Sequence, residues 1–285
     1  MLKTTLLAAA LAAFPAAAEA RDVIQPSTVS RSATVAGGST RTLQLSCRAP
    51  SIALNATATG LPAGASLLGS APAAGVLRWS LELAASESVA RQRLSASIRC
   101  LRLGLPAGVT DVSLGAATKR PPELLIPAGQ SVRVALRCER GYIPTGYGLS
   151  RGDARVQLVG AVASARSWNF RLANAGSDQA PASLSIRCVL ARVEGLRRGV
   201  PVSLRLATRR AHFSDTVEPG RALRHSCRAG EFSVAAGVSL DPAAGLELVS
   251  AQPAGARDGR WSFRGGSGRV ETQLLCLARG SSFVS

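Results

Sequence analysis

The sequence predicts an all-β protein of three tandem, disulfide-stapled, β-sandwich-like modules, and three observations predict it. First, all six cysteines and all three tryptophans fall in one order used three times: Cys47, Trp79, Cys100; then Cys138, Trp168, Cys188; then Cys227, Trp261, Cys276. Second, the paired cysteines lie 53, 50 and 49 positions apart, so one spacing recurs. Third, apolar and polar residues alternate on the approach to the cysteines, the period of a strand with one buried face. The expected boundaries are 1–20 for a signal peptide and 21–110, 111–200 and 201–285 for the modules.

Taken in order, the chain opens with a basic residue, Lys3, an apolar run from Leu6 to Phe14 too short to cross a bilayer, and Ala18-Glu19-Ala20, a small-x-small cleavage pattern. The mature protein is expected to begin at Arg21 and to be periplasmic or extracellular. No other stretch reads as a membrane span or a lipid anchor. In each module a glycine turn (Gly37-Gly38, Gly129, Gly220) leads into an alternating strand: Leu43, Leu45, Cys47 in the first copy and Val132, Val134, Leu136, Cys138 in the second. His225 takes the inward slot before Cys227. A loop rich in Gly, Pro and Ser is expected next, then a strand marked by Leu68, Leu158 and Leu248. The strands that begin at Trp79, Trp168 and Trp261 follow, and the closing strands end Leu94, Ala96, Ile98, Cys100; Ala182, Leu184, Ile186, Cys188; and Val270, Thr272, Leu274, Cys276.

The repeat selects one disulfide pairing, Cys47 with Cys100, Cys138 with Cys188 and Cys227 with Cys276, because only this pairing gives each module the same bond. Closing a loop of about 50 residues stabilises a small module by roughly 4 kcal/mol in the chain-entropy model. Such bonds belong to an oxidising compartment, in agreement with the export signal.

Two cysteines on inward-facing strands with a tryptophan strand between them resemble the immunoglobulin-like plan, although the Trp comes later after the first Cys than in antibody domains and no tyrosine corner is evident. The middle module also resembles a β-module of bacterial secreted and surface proteins. The residues that carry this are Cys138, Gly146-Tyr147-Gly148, Trp168-Asn169-Phe170, Asn174 and Ile186-Arg187-Cys188. The resemblance implies a secreted or surface repeat and brings no activity with it.

The formal charge of +17 is carried almost wholly by arginine, since Lys3 and Lys119 are the only lysines. Arginine pairs bidentately with carboxylate, phosphate and sulfate, which points to anionic polymers or an envelope surface as partner; a GC-rich coding sequence gives the same composition without any binding role. Arginines concentrate between Arg187 and Arg228, and Arg197, Arg198, Arg209 and Arg210 are the candidate polyanion-binding residues. Aromatics are too few for base stacking, so sequence-reading nucleic-acid recognition is not expected.

Gly148-Leu149-Ser150-Arg151-Gly152 matches the nucleophile-elbow pattern, and Asp215 and His225 follow in hydrolase order, but an elbow needs a strand before it and a helix after it. Here a loop and a strand are expected. His212 and His225 stand in no ligand pattern, so neither a metal nor another cofactor is expected. Arg151-Gly152-Asp153 and the acceptor Asn55-Ala56-Thr57 read as chance matches. The function expected is therefore that of an exported, non-enzymatic binding or structural protein. The alternative is a secreted serine hydrolase with a degenerate site around Ser150.

Overall fold

The computed structural model describes residues 23–153, 155–241, 244–278 and 284. The signal-peptide reading of 1–20 and the start at Arg21 lie outside them. Every regular element longer than a turn is a strand. The first segment of chain forms β1 (Ile24–Ala36), β2 (Thr40–Ser46), β3 (Ile52–Thr59), β4 (Ala65–Pro72), β5 (Arg78–Ala85) and β6 (Arg91–Leu103). A short β7 (Val109–Thr110) precedes the second segment: β8 (Ala116–Lys119), β9 (Leu124–Ile126), β10 (Ser131–Arg137), β11 (Tyr142–Arg151), β12 (Val156–Ala163), β13 (Ser167–Asn174) and β14 (Ala180–Leu190). The hairpin of β15 (Arg192–Arg197) and β16 (Val200–Arg205) pairs with β7 and leads to the third segment: β17 (Thr208–Val217), β18 (Ala222–Ser226), β19 (Glu231–Leu240), β20 (Leu246–Ala254), β21 (Asp258–Gly265) and β22 (Gly268–Ala278).

The strand pairing follows one plan in all three segments. One layer runs β1-β6-β3, β8-β14-β11 and β17-β22-β19; the facing layer runs β2-β5-β4, β10-β13-β12 and β18-β21-β20. Cys47, Cys138 and Cys227 follow directly on β2, β10 and β18, and their bonds to Cys100, Cys188 and Cys276 cross to the central strand of the opposite layer. Trp79, Trp168 and Trp261 are fully buried on the middle strands β5, β13 and β21. Two indoles are satisfied: Trp79 donates to Ser70 Oγ at 2.9 Å and Trp261 to Gly237 O at 2.8 Å. The Trp168 ring instead packs against Tyr147, with centroids 4.6 Å apart.

Where a Gly/Pro/Ser loop was expected after each first cysteine, the chain forms β3, β11 and β19. These strands do not alternate, because seven consecutive residues in β3 and in β19 are buried, on both faces. A strand covered on two sides loses its polar face, and with it the period that marks it in a sequence. Each carries a β-bulge at the same place, Leu54, Thr145 and Val234, seven positions after the cysteine (54 − 47, 145 − 138, 234 − 227). A second bulge recurs in β4, β12 and β20, at Leu68, Val159 and Val249. The first-segment counterpart of Leu158 and Leu248 is therefore Leu67, and Leu68 is the inserted residue.

The segments are joined edge to edge. β4 pairs with β11 (Gly69 opposite Ser150), and β12 with β19 (Gly160 opposite Ser239, Ala161 opposite Val238). Glycine permits both approaches. A Cβ on Gly148 would lie 2.2 Å from Ser70 O, and one on Gly237 would lie 2.5 Å from Ala161 O. β20 comes back beside β3, which closes the three segments into a ring, but these two strands share no ladder pairing among the described residues. The position that holds Gly148 and Gly237, ten after the cysteine (148 − 138, 237 − 227), holds Thr57 in the first segment (57 − 47).

Replacing Gly148 or Gly237 with alanine should therefore cost about 1–3 kcal/mol, the usual range for overpacking. Gly160, where an added Cβ meets nothing nearer than 3.5 Å, is the control and should change little. Urea midpoints of the three variants check this; equal shifts would remove close approach as the cause.

Candidate functional site

The ring leaves a cleft of about 400 Å³ on the side where β20 stays apart from β3. Most of its lining comes from β3, β4, β11, β12 and β20, with single residues from β13, β19 and β21. Its lining is mixed, with Leu149, Leu158, Leu240, Leu246 and Leu248 beside polar Thr57, Ser70, Gln157 and Glu247. Leu149 and Arg151 face it because they alternate with Gly148 and Ser150 along β11, and the same alternation places Tyr147 there.

Arg151 is fixed at one end. Its guanidinium donates to Val156 O at 3.0 Å and to Leu67 O, binding β12 to β4. Burial pulls its pKa below the ordinary value, and the Glu247 carboxylate opposes that shift. Glu247 is itself paired to Arg264 at 2.7 Å, so Arg151, Glu247 and Arg264 leave one positive charge at this end. Tyr147 is half-buried, donates to Ala236 O at 3.3 Å, and is pushed above the usual phenol range by desolvation. Asn55, 4% exposed, and Ser250, 6% exposed, also line the cleft, and among the described residues their side chains make no hydrogen bond.

The four arginines singled out by sequence are divided. Arg197 and Arg198 sit at the exposed tip of the β15–β16 hairpin, whereas Arg209 and Arg210 lie on β17 past its base. Five residues of strand, roughly 16 Å at 3.3 Å per residue, separate tip from base. Arg209 is also committed to Glu231, at 2.5 Å. A different group gathers on the first segment. Arg31 reaches Gln44 O at 3.5 Å, Arg41 reaches Thr34 O at 3.2 Å, and Arg93 stands opposite Thr34 with Arg91 two residues away on the exposed face of β6. The sequence gives no sign of this, because 60 positions separate Arg31 from Arg91 (91 − 31).

Ser150 lies inside strand β11, opposite Gly69, and not in a loop. The extended backbone there lacks the strand-to-helix turn that exposes a nucleophile. His225 belongs to a separate cluster: its Nε2 is 2.8 Å from Asp215 Oδ2, and its ring stacks on Phe213 at 3.9 Å. Cys227, Glu231 and Cys276 come together, but both sulfurs are in a disulfide, which removes the thiolates a metal would need. No known family model and no curated protein matches this chain.

Two buried arginines tie the ring together from one equivalent place, directly before the closing cysteine. Arg187 lies 5.7 Å over the Trp79 ring and donates to Gly75 O in the first segment; burial, then Arg120, lowers its pKa to about 10. Arg99 donates to Thr28 Oγ1 at 3.0 Å and to Gly255 O in the third segment. The third such position is Leu275.

Several carboxylates are held below their ordinary range. Glu231 is lowered first by its hydrogen bond to Arg209, and Asp258 first by Ser226 and then by Arg224. A depressed carboxyl contributes stability above its unfolded value and loses it as the pH falls through its folded value. Thermal stability should thus hold at neutral pH and decline below about pH 4.5, the unshifted value for Glu231. Glu231→Gln should reduce that decline in a series of melts across pH. An unchanged acid limb would mean that this pair contributes nothing.

Proposed function

We propose that the chain is an exported, non-enzymatic binding protein of the periplasm or cell surface, that its three segments are tandem Ig-like modules, and that it docks on anionic polymers through arginine. The three disulfides are consistent with an oxidising environment. The observation that carries the docking surface is the set of exposed arginines on the first segment, Arg31 on β1, Arg41 on β2, and Arg91 and Arg93 on the neighbouring β6. With 34 basic residues against 17 acidic ones, half of the cations have no acidic counterpart anywhere in the chain. Guanidinium groups that keep free N–H donors at an exposed edge suit phosphate, sulfate and carboxylate oxygens. The same charges also discourage pairing between edge strands of different molecules.

Binding to heparin or a single-stranded oligonucleotide should weaken with salt, because counterions are released when the polymer is neutralised. Replacing Arg31, Arg41, Arg91 and Arg93 together with Gln should lower the slope of log affinity against log salt by roughly 0.7 to 0.9 for each phosphate or sulfate that is no longer neutralised. The set Arg197, Arg198, Arg209 and Arg210 serves as the comparison and should lose less. Equal losses would reduce the interaction to net charge, and aggregation without loss of binding would leave only edge protection.

A further inference from the structure

We infer that the central cleft is a binding site for a linear aliphatic monoanion that carries a hydrogen-bonding oxygen at the far end of its chain. This site is distinct from the arginine edge proposed above, and its origin lies in the way the ring fails to close. At two junctions a bare glycine lets a carbonyl sit where a side chain would be, and the backbones pair. At the third, Thr57 takes the place of the glycine, β20 and β3 share no ladder pairing among the described residues, and the space between them is lined by two mostly buried polar side chains without a protein partner, Asn55 and Ser250. Neither side chain has a protein partner among the described residues and both line the cleft, so a water or a ligand there would supply their hydrogen bonds. In the positions equivalent to Asn55 the other segments have Gly146 and Ala235, which need no partner.

The chemistry of the lining selects the class of ligand. Leucines supply much of the apolar lining, and the one aromatic ring among the lining residues, Tyr147, is already packed against Trp168 and Phe170. A flexible alkyl chain fits such walls, whereas a sugar or a base would be expected to stack on an aromatic platform. One end carries the single net positive charge of Arg151, Glu247 and Arg264, and Arg151 keeps N–H donors beyond the two it gives to Val156 and Leu67. Asn55 lines the same cleft, and its backbone stands beside Gly146, five residues along β11 from Arg151. That separation is roughly 16 Å in extended strand. A carboxylate at Arg151 and an oxygen at Asn55 would therefore be bridged by an alkyl chain running past the leucines, and a cleft of about 400 Å³ lies within the usual size of small-molecule sites.

The test is calorimetric titration of the intact, disulfide-bonded chain with dodecanoate, ω-hydroxydodecanoate and dodecanol. The hydroxy acid should bind about fivefold to tenfold tighter than dodecanoate, as one well-made buried hydrogen bond allows, and dodecanol should bind weakest. Asn55→Ala, which places there the residue that the third segment already has, should abolish the advantage of the hydroxy acid and keep the preference for acid over alcohol. Leu248→Trp should block all three ligands, and Thr57→Gly should weaken them by letting β20 approach β3. Replacing Arg31, Arg41, Arg91 and Arg93 with Gln should change none of these affinities, which separates failure here from failure of the polymer-docking proposal. An unchanged ratio of hydroxy acid to acid in Asn55→Ala, or dodecanoate binding that survives Leu248→Trp and vanishes with the edge arginines, would overturn the inference.

Discussion

The approach of one backbone onto the Cα of a glycine in the next segment is the contact on which the arrangement depends. Ser70 O against Gly148 and Ala161 O against Gly237 sit closer than any side chain allows. Because β-ladders need their strands about 4.8 Å apart, only a residue without a side chain can present that face to a neighbour buried above it. Once two junctions close in this way, the strands β3 and β19 are buried on both faces, and small residues dominate them. The bulges at Leu54, Thr145 and Val234 belong to the same constraint. They bend each strand as it passes from its own sandwich layer into the shared centre, and Leu54 and Val234 join the core built around Trp168 and Cys138.

The ring is not symmetric, and its asymmetry is where chemistry gathers. The first and second segments use an arginine before the closing cysteine to reach a hairpin turn of the neighbouring segment, and the third uses Leu275. The third and second segments are instead clamped by Gln273, whose side-chain amide exchanges two hydrogen bonds with Ala163. Where backbone pairing is missing, between β20 and β3, Arg99 supplies a side-chain tie to Gly255 and the cleft remains. Each of these arginines reaches a backbone carbonyl of the neighbouring segment, so they fix the relative placement of segments more than they add net stability.

Much of the sandwich plan was legible in the chain because disulfide spacing and period-two alternation are local signals. The strand entering Cys138 from Val132 and the strand ending at Cys188 each show one polar and one apolar face, and that pattern survives without knowledge of any neighbour. The strands at the centre were not legible for the opposite reason. Gly146 and Gly148 read as turn residues, since glycine at a turn and glycine at a close contact are the same letter, and the Ser150 pentapeptide reads as a loop for the same reason. The cleft had no signature either: Thr57 matters only by comparison with Gly148 and Gly237, and Asn55 only because nothing meets its amide.

By itself, then, the sequence determined the strand-rich class, the positions of the cysteines and buried indoles within it, and a large surplus of positive charge, all of which follow from residue type and short-range order. Tertiary structure alone decided how the three segments meet, which arginines stand together and which are spent on carbonyls or on Glu231, and where an opening is left. Those outcomes depend on distances between residues 50 to 160 positions apart, as in Arg99 with Gly255 (255 − 99 = 156) and Gln273 with Ala163 (273 − 163 = 110). No local pattern encodes such distances, because they are set by how closely one backbone can approach another.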